Sequence, residues 1–228
     1  VVSTDTAVTL LVHLRMSGRL YVEEKTVPKS GYERVTLSLN DGREVRFYDP
    51  RKFGRIIATE FPDILLDRLG IEPLSPHFTR AVFTHLVEKT RARIKPFLLN
   101  QRNIAGLGNI YTDEALWDAR VHPERIGRSL SVYEAYRLRD AIVFVLRKGI
   151  GNLGTSLGSG KSNFHLPNRS DETRARNQEE LSVFGRTGLP CPRCTTEIVR
   201  ILVNQRSSHL CPQCQRLPSV ATYKPDNP

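Results

Sequence analysis

The sequence predicts an α+β protein of several small domains: a sheet-forming first part, a helical middle and a C-terminal metal module. Three observations carry that prediction. Residues 1 to about 60 are rich in β-branched residues and alternate with period two. From Pro62 the apolar residues recur at helical spacing instead. All four cysteines fall in one short stretch, as two C-x-x-C pairs. With 228 residues the chain has room for one large domain or two to three small ones, and it can bury a core without disulfide staples.

The elements follow in order. Ala7 to Leu14 is apolar and β-branched and predicts a strand. Tyr32 to Leu39 alternates with Val35, Leu37 and Leu39 on one face, Asn40-Asp41-Gly42 signals a hairpin turn, and Glu44 to Tyr48 alternates again. Together these predict an antiparallel sheet, half of a sandwich. After Ser75-Pro76, the residues Phe78, Val82 and Leu86, with Phe83 and Val87, predict a helix. Ile94 to Leu99 continues helical, and Thr112 to Ala119 predicts a short helix. Ser131-Val132-Tyr133-Glu134 is a capping box opening a helix with Leu138, Ile142 and Leu146 on its core face and Gly149-Ile150-Gly151 at its end. Residues 151 to 181 are polar, aperiodic and rich in Gly, Ser, Asn and Arg, the composition of a functional or mobile loop.

Composition excludes several classes. No apolar run approaches the length of a membrane span, and the start Val1-Val2-Ser3-Thr4-Asp5 has neither the basic nor the apolar segment of a signal peptide. The net charge of +10, mostly from arginine, fits either general solubility or a polyanion partner bound with counterion release.

Cys191-x2-Cys194 and Cys211-x2-Cys214 have the spacing of a tetrahedral four-thiolate zinc site. Such a zinc is structural, because all four positions are filled by protein. The strand-like residues Glu197 to His209 between the pairs predict a β-hairpin finger. Its tip, Asn204-Gln205-Arg206-Ser207-Ser208, suits a phosphate reader or a solvated turn equally. Ile104-Ala105-Gly106-Leu107-Gly108-Asn109-Ile110-Tyr111 feeds a helix at Thr112-Asp113-Glu114, either an anion-binding entry or a tight helix–helix turn. Gly158-Ser159-Gly160-Lys161-Ser162 is not a phosphate loop: its first glycine is out of place at Thr155, and no apolar strand precedes it. His77, His85 and His122 read as structural or surface residues, and His165 and His209 carry no assignment.

Four stretches, in order, resemble the bacterial formamidopyrimidine-DNA glycosylase family, the relatives of endonuclease VIII. They are His13-Leu14-Arg15-Met16-Ser17-Gly18-Arg19-Leu20; Asp49-Pro50-Arg51-Lys52-Phe53-Gly54; Lys95-Pro96 through Asn109-Ile110-Tyr111 to His122-Pro123; and Val183-Phe184-Gly185-Arg186 through Gln215. The resemblance implies a partial N-terminal β-sandwich over 1–62, a helix–two-turns–helix domain over 63–182 with a lesion-covering loop near 151–181, a zinc finger over 183–216 and a tail over 217–228. It implies base-excision repair of oxidised purines on damaged double-stranded DNA. The nucleotide is flipped out because its target carbon is unreachable in the stack. The glycosidic bond is then cut through a Schiff base, and the strand is cleaved by β,δ-elimination. A monomer in the bacterial cytoplasm is expected, with one structural zinc.

Residue by residue, the resemblance implies that His13, Asn109 and Arg206 grip phosphates around the flipped nucleotide. Arg206 also supplies the δ-elimination proton. Met16, Arg51 and Phe53 match the trio that fills the hole left in the duplex: Met and Phe replace stacking while Arg pairs with the orphaned base. Core packing is the other reading of Met16 and Phe53. Arg91 falls in a run that contacts the DNA backbone, and Tyr32 aligns with a position often histidine. The family's N-terminal Pro-Glu and an early-strand lysine, which form and assist the Schiff base, have no counterpart in these residues. The expectation is therefore an N-terminally truncated glycosylase whose sheet faces at residues 7–14 and 35–39 are under-covered. A non-catalytic DNA-binding remnant, or an endonuclease VIII-like enzyme for oxidised pyrimidines, are the alternatives.

Overall fold

A computed structural model describes residues 1–152, 154, 164–165 and 180–218. The chain divides into two compact units, Val1–Asp67 with Gly151–Gln178, and Arg68–Ile150 with Glu179–Pro228.

In the first unit the strands are β1 (Val2–Ser3), β2 (Thr9–His13), β3 (Arg19–Glu24), β4 (Glu33–Ser38), β5 (Arg43–Tyr48), β6 (Arg55–Thr59) and β7 (Phe164–His165), with a single helical turn, α1 (Asp63–Leu66), after them. They form two sheets, ordered β1-β2-β6 and β4-β5-β3-β7. The predicted hairpin is present, with Leu39 N–H donating to Arg43 O at 2.8 Å and Gly42 at φ 85°. β7 lies inside the stretch expected to be aperiodic and pairs in parallel with β3, Leu20 opposite Phe164. The polar face of β5 is not solvated as simple alternation would have it. Glu44 and Arg46 are buried, and Arg46 donates to Glu44 at 3.0 Å and to the carbonyl of Val27 at 2.8 Å. The core between the sheets is thin. Among the described residues of 1–67, Phe47 is the one buried hydrophobic. An apolar groove of about 440 Å³ opens among Leu10, Val12, Leu20, Leu37, Val45 and Ile56.

The second unit holds α2 (Arg80–Glu88), α3 (Ile94–Leu99), α4 (Asn109–Asp118), α5 (Val132–Gly151) and the hairpin β8 (Val199–Val203) and β9 (Arg206–Leu210). Thr79 caps α2, its hydroxyl accepting from Val82 N at 3.2 Å. That start puts Phe83 and Val87, four residues apart, on the core face; Val82, about 100° round the helix, stays exposed. The capping box of α5 is made as the sequence predicts: Ser131 N donates to Glu134 Oε2 at 2.8 Å, and Glu134 N to Ser131 Oγ at 3.3 Å. Leu138 and Ile142 are fully buried with Phe78, Phe83 and Leu116 in one core. α4 starts three residues before the predicted Thr112, because Gly108 serves as its cap. Thr112 through Leu116 are all buried, so this short helix is enclosed on every side.

The expected lesion-covering loop lies outside the described residues apart from a few positions at its ends and Phe164–His165, as does the segment from Gly158 to Ser162 and the tail beyond 218. Among the described residues no helix is long and apolar enough to cross a membrane.

Candidate nucleic-acid interface

Each unit carries its own part of the candidate site. In the first unit two turns meet. Leu14–Gly18 is a tight turn closed by Gly18 N–H donating to Leu14 O at 2.9 Å. A side chain at Gly18 would lie 2.3 Å from that same carbonyl, so the turn requires glycine. The second turn, Asp49–Gly54, is organised by one carboxylate. Asp49 accepts from Gly54 N at 2.7 Å, from Arg51 N at 3.3 Å and from Ser17 Oγ at 2.7 Å. The last bond ties the two turns together and sets Met16 beside Arg51 and Phe53. The Arg51 guanidinium lies 4.9 Å over the Phe53 ring, and its Nη1 donates to Met16 Sδ at 3.7 Å. Met16 is 77% and Phe53 55% exposed, which rules out the core-packing reading of both.

His13 precedes this cluster in sequence, and Tyr32 meets it through the backbone at Asp49. His13 ends β2 opposite Arg55, and its Nδ1 accepts from Arg15 N at 3.1 Å, leaving the ring proton on Nε2. Desolvation and the charges of Arg15 and Arg55 lower its pKa below the usual imidazole value. Tyr32 is half exposed, stacks edge-on against Tyr48 at 5.7 Å, and accepts Asp49 N at its carbonyl, 2.9 Å away.

Asp49 makes a test possible. Its pKa is lowered from 3.8, first by the Gly54 N–H, then by the Ser17 hydroxyl, against a desolvation penalty. A carboxylate with a lowered folded pKa contributes order above its unfolded value, and that order is lost as pH falls through the folded one. The Gly54 amide should therefore stay protected from hydrogen exchange at pH 5 and lose protection only below 3.8. Loss already at pH 5, or full protection in Asp49→Ala, would contradict the arrangement.

In the second unit the pieces are the entry to α4, the hairpin and the cysteines. Gly106 has φ 77°, which a side chain would strain, and Gly108 is extended, so Asn109 opens the helix. The hairpin turn Asn204-Gln205 has φ of 46° and 61°, the left-handed pair of a two-residue turn. It places Arg206 exposed at the start of β9. Asn109 Nδ2 donates to Ser207 O at 3.1 Å, so the helix entry and the fingertip meet; Asn109 Oδ1 is buried without a partner among the described residues. Arg91 is exposed in the turn before α3.

Beneath this contact lies a network that the motif reading did not assign. Lys95 is fully buried and donates to Asp113 Oδ1 at 2.5 Å and to Ser207 O at 2.6 Å. Asp113 Oδ2 accepts from His209 N at 2.9 Å and faces His209 Nδ1 at 3.1 Å. Burial lowers the Lys95 pKa, Asp113 raises it again, and the charge of Arg206 lowers it. Next along α4, Glu114 accepts from the backbone N–H groups of Ser182, Val183 and Phe184 at 2.8 to 2.9 Å. Gln215 bridges Cys211 N and Val121 O. Adjacent acids in a helix with buried neighbours on both sides were the signal available, since buried charges must be paired.

The four Sγ atoms lie within 4.8 Å of one another, with Cys194–Cys211 and Cys194–Cys214 at 3.4 Å and Cys191–Cys214 at 4.0 Å. Four thiolates at about 2.3 Å from a tetrahedral zinc stand roughly 3.8 Å apart, so the donor set fits the metal. Backbone N–H groups of Arg193 and Cys214 and the indole of Trp117 donate to these sulfurs, each at 3.4 Å, which spreads thiolate charge. Arg193 stacks 4.0 Å over Trp117 and fastens the knuckle to α4.

These parts define a class: a strand module with an exposed Met-Arg-Phe cluster, and a helical module onto which a structural zinc finger is locked by buried charges. The chain belongs to the formamidopyrimidine-DNA glycosylase family. Three family models match it: the formamidopyrimidine-DNA glycosylase N-terminal domain over 1–56, its H2TH domain over 69–159, and the zinc finger found in FPG and IleRS over 188–217. The formamidopyrimidine-DNA glycosylase of Herpetosiphon aurantiacus is 43% identical over 94% of this chain and 77% of its own length. That of Protochlamydia amoebophila is 40% identical over 91% of this chain and 74% of its own length. The structure is similar to Lactococcus lactis Fpg in complex with abasic-site DNA, with a TM-score of 0.80 and 34% identity over 92% of this chain and 76% of that one.

Proposed function

We propose that the protein is a base-excision-repair DNA glycosylase and abasic-site lyase for oxidised purines. The observation that carries the reading is the Met16–Arg51–Phe53 cluster, two exposed apolar side chains and a guanidinium held together by Asp49. Such a wedge costs solubility and has no core to fill, but it can enter a base stack and replace a flipped nucleotide. Family membership and the Lactococcus lactis Fpg structures on abasic-site and Fapy-dG DNA support it. In this reading His13 Nε2, Asn109, Arg206 and Arg91 take backbone phosphates, Tyr32 also contacts the DNA, and Arg206 donates the last elimination proton. The net charge of +10 supplies the sequence-independent part of the affinity.

The test is binding to an abasic-analogue duplex against an intact one. Loss of one stacking side chain is worth about 1–3 kcal/mol, so Phe53→Ala should weaken abasic-duplex binding about tenfold or more and leave intact-duplex binding nearly unchanged. Equal weakening on both would sink the wedge assignment. Borohydride trapping on an 8-oxoguanine duplex, with the protein as its gene encodes it, tests the chemistry; no adduct would overturn the glycosylase reading. Thymine glycol in parallel separates purine from pyrimidine preference.

A further inference from the structure

Asn109 and Asp113 stand four residues apart on α4 and project from the same face of the helix. Both reach one edge of β9. In the hairpin, Val203 and Arg206 close the turn, and Ile201 pairs with Ser208. Backbone groups alternate sides along a strand, so those of Ser207 and His209 point away from β8, toward an edge with no third strand among the described residues. Side chains take the place of that strand. The Ser207 carbonyl accepts from Lys95 and Asn109, and the His209 amide donates to Asp113. Asp113 in turn holds Lys95 of α3, so two of these three bonds depend on Asp113 and the third on Asn109, one turn before it on α4.

This ion pair is fully buried, with both side chains no more than 1% exposed. Buried pairs are poor sources of stability, since apolar side chains of similar volume often do as well, but they can fix a register that apolar packing leaves loose. The register at stake is the seat of Arg206, one residue before Ser207. We propose that Asp113 is a positioning residue for DNA: through Lys95 and the His209 amide it fixes β9 against α4, so that Asn109 and Arg206 meet the phosphate backbone as one unit. The proposal rests on the reading of those two residues as phosphate contacts.

The test compares salt dependence of binding to an abasic-analogue duplex for the zinc-loaded protein and its variants. Each lost phosphate contact lowers the slope of log K against log salt by about 0.9. Arg206→Ala should lower it by about that much. Asp113→Asn should lower it by about 0.9 to 1.8 although it touches no DNA, and adding Arg206→Ala to it should lower it by clearly less than Arg206→Ala does alone. Cobalt substituted into the finger should keep its thiolate spectrum in each variant, which a collapsed finger would not. The paired variant Lys95→Met/Asp113→Leu removes both charges together and so keeps the fold; it too should lose slope. A wild-type slope in either Asp113 variant, or full additivity with Arg206→Ala, overturns the proposal. An unchanged slope in Arg206→Ala overturns the phosphate reading itself, and the proposal with it.

Discussion

Removing the zinc, or replacing Cys211 with serine, is expected to unfold the finger and abolish specific duplex binding. The physical reason is the size of the module. Its apolar cluster consists of Val183, Ile198 and two of the cysteines, with Trp117, Cys194 and Cys214 at its margin. That is far too little buried surface to hold a chain segment against its conformational entropy. Structural zinc binding contributes roughly 10–16 kcal/mol in finger peptides, and in such modules that free energy is folding free energy. The helical core around Phe83, Leu116 and Leu138 does not use the cysteines and should survive. A chelator titration followed by circular dichroism and DNA binding checks this. Loss of the hairpin and of binding together, with helix content retained, is the expected result. A finger that still binds DNA after the metal is gone would show that the four thiolates are not its structural centre.

The second large effect is at Glu114. Its carboxylate accepts three consecutive backbone N–H groups, from Ser182, Val183 and Phe184, and Val183 is fully buried. Glu114→Ala leaves those donors without an acceptor where water has poor access. An unpaired buried donor costs about 1–3 kcal/mol, less at the half-buried ends, so a total of about 3–5 kcal/mol is expected. For a chain of this size that is a fall in Tm on the order of 6–20 °C. Glu114→Gln keeps an acceptor oxygen and should lose less. Melting of the alanine variant within a degree of the parent would mean that segment 182–184 is held by something else.

Much of the fold was legible because it is local. The cysteine spacing, the Asn40-Asp41-Gly42 turn, the capping box at Ser131 and Glu134, and the helix at Ile94–Leu99 are patterns within a few residues, and backbone geometry turns each into structure without outside help. The start of α4 was misjudged by three residues because its cap is a glycine with no side-chain signature. The helical period of Phe78, Val82 and Leu86 does not state which phase faces the core until the cap at Thr79 is known, and Val82 stays exposed. The short strand Phe164–His165 forms only because β3 offers it an edge.

The candidate site divides the same way. By itself the sequence singled out the candidate residues: four thiols at metal spacing, a basic hairpin tip, a glycine turn into a helix, and the Met16, Arg51 and Phe53 motifs. Only the tertiary structure decided how they are held. Ser17 and Asp49 are 32 positions apart, Asp113 and His209 are 96, and Glu114 and Val183 are 69. A carboxylate in a sequence carries no sign of which distant N–H it will accept. That choice is made when packing removes water from around it, and the cost of leaving it unpaired then selects the one partner within reach.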